Sequence, residues 1–207
     1  NLNYIWQKFK KIDVPFYSCI GNHDLRSMTS RNEVERIMEY DHSTFSFDIS
    51  GMHVIILGTY VNNDLGTAEG GIFKTQFISN EDMEWLKEDL RNNKLPTIIC
   101  LHFGVAEDDM KGNWWFESCP ETALLGNRKE LKQIIKEHSN VLAIFSGHQH
   151  WTKHVVEEGI SYYVLGSMTE NINNDGIPDG VYFVIEFDDE KLEVIEQRQA
   201  YDSNGNK

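Results

Sequence analysis

Three short apolar runs in this chain each stop abruptly at a polar cluster that carries histidine. Phe16-Tyr17-Ser18-Cys19-Ile20 runs into Gly21-Asn22-His23-Asp24, Pro96 to Leu101 ends at His102, and Val141 to Phe145 leads to Gly147-His148-Gln149-His150. Apolar runs of about four to eight residues bounded by turn signals are consistent with strands buried on both faces, as in a covered parallel sheet. A chain patterned this way must find cover for two sheet faces, and its polar groups collect at the strand ends. In such folds the carboxyl ends of strands are where loops on a rigid scaffold hold functional side chains.

Between these runs the period of the pattern changes. Leu2 to Lys11 has helical apolar spacing with a basic end, and a short helix is expected from Asn32 to Tyr40. Thr44 to Ile49 alternates with period two, turns at Ser50-Gly51 and returns as Met52 to Thr59, which predicts a hairpin. Ser79, with Asp82 following, resembles a capping box for a helix over Glu81 to Asn92, whose Met83, Leu86 and Leu90 form one apolar stripe. Asn127 is placed to cap a helix that runs to His138. Four more strands are expected over Thr152 to Glu157, Ile160 to Leu165, Gly180 to Phe187 and Lys191 to Arg198. Strand–helix–strand alternation followed by paired strands describes an α/β domain built around layered sheets. Residues 1–201 read as a single domain and 202–207 as a polar tail; the stretches 60–78 and 103–122 read as long loops.

Charge narrows the partners. A formal net charge of −14 argues against a general affinity for nucleic acid or anionic membranes. A small phosphorylated substrate remains compatible with it, because bound divalent metals invert the local potential. No apolar stretch approaches the roughly 20 residues of a membrane span. Cys19, Cys100 and Cys119 lack metal-type spacing, and the first two sit in apolar runs as small hydrophobes. Reduced thiols suit a cytoplasmic location. A closed structural zinc site is disfavoured, since none of the cysteines joins the histidine clusters.

Each cluster taken alone has a plain explanation. Gly21-Asn22 is a turn signal, His102 a strand-end histidine, and His148-x-His150 a weak adventitious metal site. Their joint occurrence at three strand ends points instead to one site. Neutral imidazoles with an amide or carboxylate oxygen suit divalent transition metals, and His148 and His150 are spaced to face two metals about 3.5–4 Å apart. His42, His53, His138 and His154 read as surface or packing residues. Arg26 is either a phosphate contact or a solvated loop arginine, and Trp114-Trp115 either a lid or a loop staple.

The ordered set Gly21-Asn22-His23-Asp24, Leu101-His102 and Gly147-His148-Gln149-His150 resembles the calcineurin-like metallophosphoesterase superfamily. Phe45-Ser46-Phe47-Asp48, Glu84-Trp85-Leu86 and the last cluster resemble in particular its cyclic-nucleotide phosphodiesterase and nucleotide-diphosphate-cleaving branches. The resemblance covers about Phe16 to Glu186. It implies a layered β-sandwich flanked by helices and a binuclear centre of Mn, Fe, Zn or Ni. In that centre Asn22, His102 and His148 match ligands of the second metal, and His150 a ligand of the first. His23 matches the histidine that contacts the scissile phosphate and assists the leaving group, and Asp24 the carboxylate that orients it.

The family's early Asp-x-His pair and Gly-Asp-x-x-Asp element have no counterpart, since no Asp-x-His and no Gly-Asp occurs in the sequence. The expectation is therefore a domain whose first strand–helix–strand unit is missing, with a probe-detectable site for at most one metal and weak or no activity by itself. The parent would hydrolyse a phosphodiester or nucleotide-type diphosphate with a two-metal-activated hydroxide. The alternative is a non-catalytic binding or scaffold domain that keeps the fold with part of the site. Exposed sheet edges would favour self-association.

Overall fold

A computed structural model describes residues 2–25, 30–62, 75–188 and 191–198. Arg26, residues 63–74 of the loop expected at 60–78, and the tail 202–207 lie outside the described residues. The elements follow the order α1 (Leu2–Phe9), α2 (Arg31–Met38), β1 (Phe45–Ile49), β2 (Met52–Ile56), β3 (Tyr60–Asn62), β4 (Thr75–Phe77), α3 (Asn80–Asn92) and β5 (Thr97–Cys100). After a 3-10 turn at Pro120–Thr122 come α4 (Arg128–Lys136), β6 (Val141–Ser146), β7 (Lys153–Glu157), β8 (Ile160–Val164), β9 (Val181–Asp188) and β10 (Lys191–Arg198).

Six strands form the central sheet in the order β1-β2-β5-β6-β8-β7. The pairs β2–β5, β5–β6 and β6–β8 are parallel, and the two edge strands, β1 and β7, pair antiparallel. Both faces of this sheet are covered, which is why its strands read as unbroken apolar runs. Ile55, Ile99 and Ile144 belong to the core that α3 and α4 close with Met83, Leu86, Leu90, Leu131, Ile134 and Ile135. Alternate residues Val54, Ile56, Ile98, Ala143 and Phe145 pack on the other side, where the antiparallel pair β9–β10 brings Ile185, Phe187 and Leu192. The α/β architecture of layered sheets with flanking helices expected from the sequence is the one observed.

Local signals explain most boundaries. Ser79 Oγ accepts the Asp82 N–H at 3.0 Å, and Ser30 Oγ does the same for Glu33, so both α3 and α2 start where a side chain satisfies an otherwise orphaned donor. The stretch 60–78, expected as a loop, instead begins and ends in the antiparallel pair β3–β4, and two further expectations need correction. Asn127 stands at the N-cap of α4 but does not cap it. Its side chain instead bonds both backbone groups of Ile78, with Nδ2–H donating to the Ile78 carbonyl and Oδ1 accepting the Ile78 N–H. Phe16 to Ile20 is not a strand: among the described residues no strand pairs with it, and Phe16 and Tyr17 are exposed. Its backbone is held by side chains, the Ser18 N–H by Tyr40 Oη and the Ile20 carbonyl by Thr59 Oγ1.

Candidate active site

The three parallel strands β5, β6 and β8 end side by side, and their ladder continues one step beyond them. Leu101 N–H donates to Phe145 O, Gly147 N–H to His102 O, and Leu165 N–H to Ser146 O, at 3.0, 3.0 and 2.8 Å. Backbone hydrogen bonding therefore fixes the exits that carry His102, His148 and His150. Residues 21–24 reach the same edge, where Gly21 and Asn22 meet His102. The result is a cavity of about 690 Å³ lined by Asn22, His23, His102, His148, His150 and Glu170, among others.

Asn22 and His102 are in contact, with Asn22 Oδ1 3.0 Å from His102 Nε2. Gly21 makes this contact feasible, because a Cβ there would fall 2.7 Å from both Cε1 and Nε2 of His102. Asp24 closes the turn from below, its Oδ2 accepting the Gly21 N–H at 2.9 Å. The contact made by Asp24 is thus with the backbone of its own turn. His23 is exposed at the cavity.

His148 and His150 both have left-handed backbones, with φ of 68° and 57°. Such conformations are uncommon for residues with a Cβ and persist where surroundings impose them. Those surroundings are visible around Gln149, which is buried between the two histidines. The Asn113 amide donates to the Gln149 carbonyl at 2.7 Å, and Trp151 Nε1–H donates to Gln149 Oε1 at 2.8 Å. The Gln149 side chain lies against Gly104, where a Cβ would overlap Nε2. Aromatic rings complete the fixation. Phe103 and Phe116 pack on the His148 ring at 4.5 and 4.9 Å between centroids, and Trp115 meets His150 edge-on at 4.5 Å.

Burial pushes the His102 imidazole down to about 3, and the neighbouring imidazoles of His148, His23 and His150 act in the same direction. Burial also lowers His150; the Glu170 carboxylate, with Oε2 3.0 Å from Nδ1, opposes that, and His23 adds to it. Neutral rings are the form that binds a metal.

The donor chemistry fits a divalent ion on one side of the cavity. His148 Nε2 lies 3.1 Å from Thr122 O, so as a neutral ring it donates there and carries its lone pair on Nδ1, the arrangement in which an outer acceptor orients a metal-binding imidazole. Among the described residues no three His, Cys, Asp or Glu side chains stand close enough to cage an ion. An ion on this side would have the amide oxygen of Asn22 as a third donor beside His102 and His148. His150 sits with Glu170 instead.

Of the residues singled out in the sequence, all six line or adjoin this one cavity; His42, His53 and His154 are engaged elsewhere. His53 is buried with its ring nitrogens 2.6 and 2.7 Å from Asp48 and Asp89, and His154 stacks on Tyr163. Trp115 is a staple, its Nε1–H donating to Asn171 O, while Trp114 is largely exposed. Glu170 and Asn113 were not singled out by sequence. They sit in loops without periodicity, and only the fold brings them to the histidines.

A family model for calcineurin-like phosphoesterases matches residues 1–152. The chain is 23% identical over 173 residues to a Psychrobacter arcticus protein named "Probable cyclic nucleotide phosphodiesterase", an alignment covering 78% of this chain and 55% of that one. A protein of the same description from Psychrobacter sp. (strain PRwf-1) is 22% identical over 172 residues, covering 77% and 45% respectively. The chain thus spans about half the length of these relatives. Among solved structures, a dimetal phosphatase from Danio rerio aligns with a TM-score of 0.36 at 17% identity, over 47% of this chain and 28% of that one.

Proposed function

The chain belongs to the calcineurin-like phosphoesterase family, and from that premise we propose that it is the metal-binding part of a phosphoester hydrolase acting on a small phosphodiester or nucleotide-type diphosphate. The observation that carries this reading is the convergence of Asn22, His102 and His148 at one sheet edge with His23 exposed at the same cavity. The names of the two Psychrobacter relatives support a cyclic nucleotide as the diester.

Asn22 Oδ1, His102 and Nδ1 of His148 would hold one divalent ion, and His150 would contribute to a second. Bound there, such ions supply Lewis acidity at the phosphoryl oxygens and lower the pKa of a bound water. The chain's own residues do the rest. The Gly21–Asp24 turn keeps the Asn22 amide and the His23 ring on one short, braced segment. His23, at the solvent side, is placed to give a proton to the departing oxygen, the role of a general acid. Phe103, Phe116 and Trp115 exclude water from the backs of the metal-facing rings and hold them in one orientation.

The test is hydrolysis of bis-p-nitrophenyl phosphate with Mn²⁺ present, comparing the chain with His23→Ala and His148→Ala. Release of p-nitrophenol that falls at least tenfold in both variants is expected. The second reading is a binding domain that keeps part of the site, and the absence of a three-residue cage among the described His, Cys, Asp and Glu side chains favours it. Metal binding without any hydrolysis, in this chain and in a longer form carrying an upstream Asp-x-His, would decide for that reading.

A further inference from the structure

Among the described residues, Glu170 is the one carboxylate lining the cavity that neither the motif pattern nor the family resemblance accounts for. It follows β8, the third of the parallel strands that end at the site. Its backbone is held on both sides, the N–H by Ser167 Oγ at 3.2 Å and the carbonyl by the Asp179 N–H at 3.1 Å. The next residues are tied to the aromatic loop: Trp115 Nε1–H donates to Asn171 O at 2.9 Å and Trp114 N–H to Ile172 O at 3.2 Å. The same Trp115 ring packs edge-on against His150. One set of contacts therefore fixes the histidine ring and the carboxylate beside it.

His150 Nδ1 is buried, and no described atom meets it in full hydrogen-bond geometry. Its charged neighbour is Glu170 Oε2, 3.0 Å away and off the line of the ring N–H. At that distance a carboxylate repels a nitrogen lone pair and attracts an N–H, and the partly buried setting of the ring leaves that preference only partly screened. We propose that Glu170 is the positioning residue for His150, holding the proton on Nδ1 so that Nε2 keeps its lone pair for the cavity. The interaction is the carboxylate–histidine pairing that orients metal-binding imidazoles and raises their donor strength. Its relevance to metal binding rests on the reading of the site given above; its geometry does not.

The proton position is measurable without metal. Long-range ¹H–¹⁵N correlation spectra of the full chain at a pH where His150 is neutral should show the Nδ1–H tautomer. Glu170→Gln keeps the size of the side chain but can donate or accept toward Nδ1, so a mixed population is expected. Glu170→Asp should restore part of the bias. In a Co²⁺ titration followed by visible absorption, E170Q should weaken by about tenfold the cobalt that His150 ligates, E170D by less, and neither should change the ion held by Asn22, His102 and His148. An Nε2–H tautomer in the unaltered chain, or the same tautomer ratio in E170Q, overturns the assignment. Because the tautomer is read without metal or substrate, a chain that hydrolysed no phosphodiester would sink the functional reading and leave this one standing.

Discussion

The imidazole of His102 lies directly over Gly21, so close that a single added methyl group would sit 2.7 Å from Cε1 and Nε2. A turn and the end of β5, far apart in sequence, thus share one steric boundary, and it lies beside the Asn22–His102 contact. Gly21 has no left-handed backbone requirement; what the position demands is the absence of a Cβ. Gly21→Ala is expected to push the ring or the turn aside, at a cost of about 1–3 kcal/mol in stability. Cobalt affinity should fall with it. A melting curve unchanged from the parent protein, together with unchanged cobalt binding, would show that the contact is slack.

Gly104 and Gln149 repeat this relation one loop further on. A Cβ at Gly104 would overlap Gln149 Nε2, and Gln149 is the residue through which Asn113 and Trp151 hold the backbone between His148 and His150. Gly104→Ala should therefore disturb the positions of both histidines without touching either. Gln149→Ala should cost about 1–3 kcal/mol, since it strips the Trp151 indole N–H of its acceptor in a part-buried site. Urea unfolding gives both numbers. A chemical shift change confined to residues 103–105 in G104A, with His148 and His150 resonances unmoved, would refute the coupling.

How much of this was legible in the sequence follows from where each signal originates. β5 and β6 are buried on both faces, so burial writes itself into consecutive residues, and the histidine after each run is marked by contrast. The same logic misleads at Phe16 to Ile20. Apolarity is a property of the segment, but a strand needs a neighbour's backbone, and here Tyr40 and Thr59 side chains take the hydrogen bonds. Asn127 shows another limit: its residue type suits a cap, yet its amide satisfies both backbone groups of Ile78, a partner that only tertiary packing supplies. Glu170 and the pairing of Asn113 with Gln149 are invisible for that reason as well. Their partners lie 20 to 36 residues away along the chain, in loops with no period.

Acid sensitivity is expected at Glu35. Burial by itself would raise its pKa, but hydrogen bonds from the Ser43 hydroxyl and backbone N–H and from Arg31, with the Arg31 charge, hold it below the ordinary value. Arg31 also faces Asp82, and His42 lies near that same carboxylate. A folded-state pKa below the unfolded one means the stabilisation is present above the unfolded value of about 4.3. It is lost as pH falls through the folded one. The difference in Tm between the parent chain and Glu35→Gln should be largest near neutral pH and should shrink below about pH 4. A difference that grew on acidification would reverse the sign and refute the assignment.

Asn22 gives the sharpest separation between a structural and a metal-binding role. Without metal its recorded side-chain partner is His102 Nε2, so Asn22→Leu should cost only about 1 kcal/mol of stability. On the proposed ligand set, the same change would remove the one oxygen donor that the described residues offer beside two imidazoles, and an ion held by three groups cannot spare one. Cobalt or manganese affinity should drop by at least tenfold, in excess of anything the change in stability explains. Asn22→Asp is the informative companion. It keeps an oxygen at the same position and adds a negative charge, so affinity should be retained or rise and should follow the harder, oxygen-preferring manganese more than cobalt. Isothermal titration of the three proteins reads the outcome directly. If N22L bound metal as tightly as the parent chain, Asn22 would be no ligand, and the ion would have to be held by a different set of groups at this edge.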